Sequence, residues 1–210
     1  EAEKQGIKVL GFEGTEEKAN FDAILSPILA ATPDVIYFGG MYDQSNVLFK
    51  QAREKGFKGM FLSDDGYDSS ESVKIAGKTL LDGGGTFYST VSGPVALYPD
   101  AAKFAQDFKA KFKADPQPFA AQGFDSAGIC LKAIEVAAQA AGGKVPTRAE
   151  VAKAVRAIKD FKGITGTINL NKNGDLTVAK YYVIQVASDD PAKWSANPVA
   201  QTLDIAPPVK

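Results

Sequence analysis

The chain has 210 residues, of which 45% are hydrophobic and 23% are charged, and its formal net charge is −1. This near-neutral composition is that of an ordinary globular protein, and it argues against nucleic acid as the main partner because phosphate binding requires clustered basic charge. The sequence contains no histidine, which excludes a histidine-based catalytic triad or metal site, and its single cysteine, Cys130, cannot form a disulfide within the chain. No run of about 18 apolar residues is present to span a membrane.

The first part of the chain predicts the end of a helix, then a strand, and then a second helix. Residues 1–5 have the pattern of a helix tail that stops at Gly6, and residues 7–12 predict a strand. Asn20 is a candidate cap for a helix that contains Pro27 in its apolar stripe. No signal peptide is recognisable, so we expect a mature, truncated or cytosolic chain. Because the chain starts inside an element, we also expect that an upstream segment was removed.

Residues 33–69 predict two buried strands that flank one helix. Val35–Phe38 is a short apolar run rich in β-branched and aromatic residues, which is typical of a strand in a parallel sheet. A helix over residues 45–55 ends at Gly56, and its inward positions are Val47, Leu48 and Ala52. Residues 59–62 predict the second strand. The pattern is that of one parallel crossover unit.

A polar loop follows each of these two strands. Tyr42 lies just after the first strand, and Asp65 lies in the Ser-Asp-Asp-Gly-Tyr loop after the second. In open α/β sheets, ligands bind outside the carboxyl ends of the strands. We therefore predict that the functional site lies where these two loops meet.

Beyond this unit, the pattern continues and then breaks. Residues 71–76 predict a short helix and residues 86–90 a strand. Ser92, Gly93 and Pro94 follow, and they are typical of a linker. We interpret this linker as a crossing between two domains.

The second half of the chain predicts three helices and a hairpin. Asp100 is expected to cap a helix that carries three phenylalanines at i+4 spacing, which we expect in the core: Phe104, Phe108 and Phe112. A long apolar helix covers residues 119–141, and Thr147 and Glu150 predict a capping box for a helix with its buried face at Val151, Val155 and Ile158. Strands over residues 164–170 and 176–186 are joined by a turn at Asn173-Gly174, and the residues from 189 onward predict an irregular tail.

Two glycine- and asparagine-rich stretches imitate ligand-binding motifs. The run of glycines at residues 83–85 precedes a strand, whereas a dinucleotide fingerprint follows a strand and opens a helix, so a turn is favoured. Asn169, Asn171 and Asn173 imitate the start of a calcium loop, but Lys180 stands where the bidentate glutamate is needed. The hairpin turn is favoured there as well.

The adjacent acids Asp64 and Asp65 allow three interpretations. They could bind Mg²⁺, as in a receiver domain that is phosphorylated on Asp, or form a solvated turn. Alternatively, a carboxylate could hold the ammonium group of a ligand through a charge-assisted hydrogen bond. Tyr42 taken alone is more typical of a packing residue than of a ligand contact. The shared location of Tyr42 and Asp65 at strand carboxyl ends favours a site.

Several segments, in this order, resemble the branched-chain amino-acid-binding proteins of ABC transporters. These are type I periplasmic binding proteins, also called Leu/Ile/Val-binding proteins. The resemblance extends to about Ala187, and the segments that carry it are PDVIYFGG (33–40), QAREKG (51–56), FAA (119–121), FD (124–125), AIE (133–135) and NLNKNGDL (169–176).

This resemblance implies an α/β fold with two Rossmann-like lobes, joined by crossover hinge strands, and with the amino-terminal part missing. Residues 1–91 would then belong to the carboxyl-terminal lobe and residues 92–177 to the amino-terminal lobe. Residues 178–210 would form a strand that returns to the carboxyl-terminal lobe, followed by a tail. The missing segment would be supplied by an upstream part of the same protein or by a swapped chain.

The resemblance also implies roles for three residues. Asp65 falls where the family has an acid that receives the α-ammonium of the ligand, although the family often has the longer Glu there. Tyr42 falls on an aromatic residue that would wall the cleft or hydrogen-bond the ligand. Phe119 matches an aromatic residue that touches the side chain of the ligand. No metal and no cofactor are implied.

The implied function is that of a non-enzymatic component of an ABC importer, which captures a small amino acid of the branched-chain or aliphatic type in a cleft that closes like a Venus flytrap. The partner would be a permease of the inner membrane, and the location would be the periplasm or a lipid-anchored position on the extracellular face. One alternative is a ligand-sensing regulatory domain of the same fold. Another is a binding protein for a different small organic acid, against which Asp65 argues because a buried carboxylate repels an anion.

Overall fold

The computed structural model describes residues 2–207, and this part of the chain forms two compact units. The first unit contains the chain up to Thr90 together with Tyr182–Gln201, and the second contains Val91–Tyr181 and the residues from Thr202. The chain therefore passes between the units three times, directly after Thr90, Tyr181 and Gln201.

The first unit is built on parallel strands with helices between them. The helices are α1 (Asp22–Ala30), α2 (Tyr42–Glu54) and α3 (Glu71–Ala76), and the strands are β1 (Val35–Phe38), β2 (Met60–Ser63) and β3 (Thr86–Thr90). β1 pairs in parallel with β2, and β2 with β3, with Ile36 opposite Phe61 and Phe61 opposite Thr86. This is the crossover unit that the sequence predicts.

Two later strands extend this sheet. β6 (Ala179–Gln185) pairs antiparallel with β3, and β7 (Val199–Ile205) lies beside β6, so that the order within the described residues is β1-β2-β3-β6-β7. A 3₁₀ turn, Pro191–Ala196, lies between the two strands and buries Trp194. The prediction of an irregular tail from residue 189 onward is wrong, because Val199–Ile205 forms a strand beside β6.

One face of the sheet carries the core of the first unit. Ile36 on β1 and Phe61 on β2 pack with Leu48 and Phe49 of α2, and Phe49 stacks on Phe61 with ring centroids 4.1 Å apart. On the opposite face, Val35, Tyr37 and Met60 are 46%, 59% and 36% exposed. The apolar side chains of that face are therefore open to solvent in this structure.

Residues 7–12 do not form the predicted strand. These described residues pair with no other segment as a strand, and the Phe12 side chain is 94% exposed. A strand exists only where a neighbouring edge accepts its hydrogen bonds, and a sequence pattern carries no information about that neighbour. The cap position of α1 is occupied by Phe21 and not by the predicted Asn20. Asn20 lies one residue further from the helix, and its side chain accepts from the amide of Asp22, the first residue of α1 (2.9 Å).

Arg53 fixes the end of α2 against the amino end of β2. Its side chain is buried, and Nη1 donates to the carbonyls of Phe57 (2.9 Å) and Gly59 (2.8 Å). The guanidinium carbon Cζ lies 4.2 Å from the centroid of the Phe61 ring. Burial lowers the pKa of Arg53 from its ordinary value. These contacts of Arg53 hold the carboxyl end of α2 in place, and Tyr42 lies at the amino end of the same helix.

The second unit consists of helices and a short hairpin. Its helices are α4 (Ala102–Phe112), α5 (Ala120–Ala140) and α6 (Arg148–Ala157), and its hairpin strands are β4 (Phe161–Gly163) and β5 (Gly166–Ile168). The capping box of α6 is confirmed: Thr147 Oγ1 accepts from the amide of Glu150, and the carboxylate of Glu150 accepts from the amide of Thr147. The hydrogen bonds from Thr147 lower the pKa of Glu150.

Several predictions for the second unit are wrong. The three phenylalanines of α4 contact one another in a row, and Phe104 packs against the small core of the second unit, but Phe112 is 57% exposed and is not a core residue. Val151, Val155 and Ile158 are only partly buried. The predicted strand over residues 164–170 is instead the β4–β5 hairpin, and Leu170 and Leu176 form only an isolated bridge around the Asn173-Gly174 turn. Asp100 lies in a 3₁₀ turn, Pro99–Ala101, before α4.

Candidate functional site

Tyr42 and Asp65 lie at the same edge of the sheet. β1 ends at Phe38, and α2 begins at Tyr42; β2 ends at Ser63, and Asp65 opens the 3₁₀ turn Asp65–Tyr67. Because β1 and β2 are parallel and Phe38 pairs with Ser63, both loops leave the sheet on the same side. The first unit therefore brings these two predicted site residues to neighbouring loops.

The two loops touch through glycine. A Cβ atom added to Gly66 would lie 2.7 Å from the carbonyl oxygen of Gly40, which is closer than real Cβ contacts come. Only glycine allows this approach of two backbones. Gly66 is thus needed for contact between the loops, and not only for access to a ligand.

The two adjacent acids have different roles in this turn. Asp64 caps it, since Asp64 Oδ1 accepts from the amide of Gly66 (3.1 Å), whereas the side chain of Asp65 is exposed. Burial raises the pKa of Tyr37, and the nearby charges of Asp64 and Asp65 raise it further. Asp64 is therefore a structural residue of the turn, and Asp65 is the carboxylate available to a ligand.

A partly buried carboxylate, that of Asp68, lies at the end of the same turn. Asp68 Oδ1 accepts from the Trp194 indole Nε1 (2.8 Å) and from the Tyr88 hydroxyl (3.0 Å), and the amide of Asp68 donates to the carbonyl of Asp65 (3.1 Å). Tyr88 and Trp194 stack with ring centroids 5.6 Å apart. Asp68 thereby ties the Asp65 turn to β3 and to the 3₁₀ turn near the end of the chain.

Burial raises the pKa of Asp68 to about 6, and the charge of Asp65 adds to this rise. The hydrogen bonds from Trp194 and Tyr88 favour the ionised carboxylate and lower the pKa, but they do not offset the effect of burial. A carboxyl group whose pKa is higher in the folded than in the unfolded protein stabilises the fold below its unfolded pKa, and this contribution is lost as the pH rises through the folded pKa. The contribution of Asp68 to the free energy of unfolding should therefore fall as the pH rises from about 4 to about 6.

We expect the free energy of unfolding of the Asp68→Asn variant, relative to that of wild type, to rise by about 1–3 kcal/mol between pH 4.5 and pH 7.5. Asparagine keeps an oxygen that accepts from Trp194 and Tyr88 but carries no charge. Urea unfolding at both pH values measures the difference, and Glu54→Gln, an exposed carboxylate on α2, is the control. A pH-independent difference between Asp68→Asn and wild type would contradict this expectation.

Phe119 belongs to the second unit, directly before α5. Its backbone adopts a left-handed conformation, with φ 67°, and its amide donates to Ser92 Oγ (2.9 Å), which in turn donates to Gln122 Oε1 (3.1 Å). A phenylalanine rarely adopts positive φ, and such conformations persist only where the surroundings enforce them. The ring is 36% exposed. Its role in ligand binding stays a prediction.

Sequence reasoning missed several residues that shape the first unit's site, above all Asn46, Asp68 and Trp194. The signal for Asn46 was a polar residue three positions before Phe49 and seven before Arg53, on the buried side of α2. Trp194 lies 126 residues from Asp68 along the chain, and no local pattern reveals such a contact.

A surface depression of about 620 Å³ lies next to α1. It is lined by residues such as Glu13, Thr15 and Asn20, and it shares no residue with the site loops.

The profile of the periplasmic binding protein family matches residues 1–191, and the chain belongs to this family. An amino acid binding protein of Pseudomonas aeruginosa is 30% identical over 204 residues, which are 93% of this chain and 49% of that protein. The Leu/Ile/Val-binding protein homolog 2 of Brucella abortus is 28% identical over 192 residues, which are 90% of this chain and 48% of that protein. The chain thus spans about half the length of the curated relatives it matches.

Among solved structures, the leucine binding protein LivK of Thermotoga maritima superposes with a TM-score of 0.73 at 30% identity, covering 90% of this chain and 49% of that protein. These similarities confirm the resemblance to Leu/Ile/Val-binding proteins and the α/β fold of type I periplasmic binding proteins. None of the described helices is both long enough and apolar enough to cross a membrane.

Proposed function

We propose that this protein is the extracytoplasmic solute-binding component of an ABC importer, and that it captures a small amino acid of the branched-chain or aliphatic type in a cleft between two lobes. The observation that carries the proposal is the exposed carboxylate of Asp65 at the carboxyl end of β2, beside the start of α2. The names of the relatives, an amino acid binding protein and a Leu/Ile/Val-binding protein homolog, support the same class of ligand.

The chemistry of the proposed contacts is that of a free amino acid. The carboxylate of Asp65 pairs with the α-ammonium of the ligand through a charge-assisted hydrogen bond. Tyr42 walls the same end of the site, and the ring of Phe119 contacts the apolar side chain. Capture and release by these groups make and break no covalent bond, so the proposed function is not enzymatic. The proposed partner is an ABC permease of the inner membrane, and the proposed location is the periplasm or a lipid-anchored position outside the cell.

Titration calorimetry tests the proposal on the protein expressed from its whole gene. Leucine, isoleucine and valine are expected to bind, whereas 4-methylpentanoate, which is leucine without its ammonium group, is expected to bind at least tenfold more weakly. Preference for the deaminated acid, or binding of none of the amino acids, would overturn the proposal. A permease and an ATPase encoded beside the gene would distinguish an importer from a sensor.

We also propose that the open face and edge of the first unit's sheet are covered by an upstream segment of the same protein. Parallel strands such as β1, β2 and β3 are almost always buried on both faces, yet Val35, Tyr37 and Met60 are exposed here. β1 is also an edge strand of the sheet within the described residues, and unpaired edges are usually covered. The amino acid binding protein of Pseudomonas aeruginosa is about twice as long as the part that matches this chain, which supports a covering segment from the part that this chain does not span.

The accessibility of Val35 tests this covering. In a Cys130→Ser background, which removes the exposed native thiol, Val35→Cys is expected to react with a thiol reagent at least tenfold faster in the 210-residue chain than in the protein expressed from its whole gene. Lys50→Cys, at an exposed position of α2, should react equally in both. Equal rates for Val35→Cys would contradict the covering, and protection that grows with the concentration of the 210-residue chain would indicate a swapped second copy instead.

A further inference from the structure

Asn46 is a buried amide side chain on α2, the helix that also buries Leu48 and Phe49. It is fully buried on α2, between the loops that follow β1 and β2. A buried amide is costly unless its donors and acceptor find partners. Asn46 Nδ2 donates to the carbonyl of Tyr42 (2.6 Å), and Asn46 Oδ1 accepts from the Tyr67 hydroxyl (2.9 Å). One side chain thus bonds to the first residue of α2 and to the turn that follows β2.

Tyr67 holds the other end of this connection. Its side chain is fully buried, with the ring centroid 5.4 Å from Tyr88 and 6.1 Å from Trp194. Its amide donates to the carbonyl of Asp64 (3.1 Å), and its carbonyl accepts from Ser72 Oγ (3.2 Å). Burial raises the pKa of Tyr67 far above its ordinary value, so the hydroxyl stays protonated and is the donor to Asn46. Ring, hydroxyl and backbone are all fixed.

These contacts hold the two residues that directly follow Asp65. Gly66 lies against the backbone of Gly40, and Tyr67 is linked through Asn46 to Tyr42. The 3₁₀ turn leaves Asp65 only two residues from Tyr67. Asn46 and Tyr67 therefore form a buried polar strut that joins the first turn of α2 to the Asp65 turn.

We propose that Asn46 and Tyr67 are positioning residues that hold the Asp65 turn in register with Tyr42. They need not touch the ligand, since they act by fixing the loop that presents the Asp65 carboxylate. A site held by a rigid supporting shell binds more tightly than a mobile one, because the loop does not have to be ordered when the ligand arrives. The consequence for amino-acid affinity rests on the function proposed above, but the consequence for the loop does not.

The first test measures the loop without any ligand. Tyr67→Phe removes one oxygen and keeps the ring, and amide hydrogen exchange then reports on residues 66, 67 and 68, whose N–H groups bond to Asp64 and Asp65. We expect these amides to exchange at least fivefold faster than in wild type. Thr86→Val is the matched control, because it removes another fully buried hydroxyl, which bonds to the carbonyl of Leu80 at 2.8 Å. Loop exchange in Tyr67→Phe no faster than in Thr86→Val would overturn the proposal.

The double variant Asn46→Leu/Tyr67→Phe separates positioning from stability. Replacing both partners of a buried hydrogen bond by apolar groups of similar shape can be nearly neutral for folding. We therefore expect the double variant to unfold at a urea concentration close to that of wild type, while the amides of residues 66–68 still exchange at least fivefold faster. Wild-type exchange of these amides in the double variant would overturn the proposal.

The second test measures leucine affinity by calorimetry on the protein expressed from its whole gene. Tyr67→Phe is expected to weaken leucine binding about threefold to thirtyfold in the wild-type background but less than twofold in an Asp65→Asn background, because the strut acts through Asp65. Equal losses in both backgrounds would overturn positioning of Asp65. If wild type binds no amino acid, the proposed function fails, whereas the exchange experiments still decide the role of the strut.

Discussion

The substitution Asp125→Ala is expected to destabilise the second unit by about 2–5 kcal/mol, because it removes a buried carboxylate that accepts three hydrogen bonds. Asp125 lies on α5 and is 3% exposed. Its Oδ1 accepts from the amide of Ile164 (2.8 Å), and its Oδ2 accepts from the amide (2.9 Å) and the hydroxyl (2.5 Å) of Thr165. These donors form the turn between β4 and β5, and alanine would leave them unpaired.

Hydrogen exchange of the Ile164 and Thr165 amides, together with urea unfolding, measures this loss. Asp107→Ala is the control, because Asp107 is an exposed carboxylate on α4 whose pair with Lys103 is worth at most a fraction of a kcal/mol. Asp125→Asn should recover only part of the loss, since its Nδ2 would face donors that need an acceptor. An Asp125→Ala protein as stable as Asp107→Ala would show that the turn finds other partners.

The elements that the sequence predicts correctly are those fixed by local chemistry. Val35–Phe38 and Thr86–Thr90 are compact β-branched and aromatic runs bounded by glycine, proline or polar residues, and they form strands at the predicted positions. The capping box at Thr147 is likewise a local pattern of hydroxyl and carboxylate, and it forms as predicted. Such features depend on neighbours within a few residues, which a sequence shows directly.

The incorrect predictions concern elements whose state depends on distant partners. Residues 7–12 have the composition of a strand but no paired neighbour in the described structure, whereas Val199–Ile205, predicted as tail, lies beside β6. Phe112 has helical spacing with the other phenylalanines of α4, but spacing alone does not supply a surface to cover it. Periodicity indicates which side chains share a face and not whether that face is buried.

The candidate site divides in the same way. Tyr42 and Asp65 could be placed together from sequence because the ends of parallel strands meet at one edge of a sheet. Asp68 could not be placed, because both of its partners, Tyr88 and Trp194, reach it from other strands and turns. The supporting groups of a site are assembled by tertiary contacts, so they become visible only in the folded chain.

Removing the charge of Asp65 is expected to weaken amino-acid binding by about 2–5 kcal/mol, which corresponds to about thirtyfold to several thousandfold in affinity. In the proposed site, closed to water around the ligand, the α-ammonium pairs with this carboxylate, and the substitution leaves a buried ammonium without its partner. Pairs exposed to water are worth only a fraction of a kcal/mol. The size of the loss therefore reports how completely water is excluded from the contact.

Asp64→Asn is the matched control for Asp65→Asn, since each variant removes one negative charge from the same turn. Asp64 Oδ1 accepts from the amide of Gly66, and asparagine can keep that bond, so the turn should stay formed. Calorimetry with leucine on the protein expressed from its whole gene should then show a large loss of affinity for Asp65→Asn and less than a threefold loss for Asp64→Asn. Equal losses would mean that the loop's net charge attracts the ligand, and undiminished binding by Asp65→Asn would place the ammonium contact elsewhere.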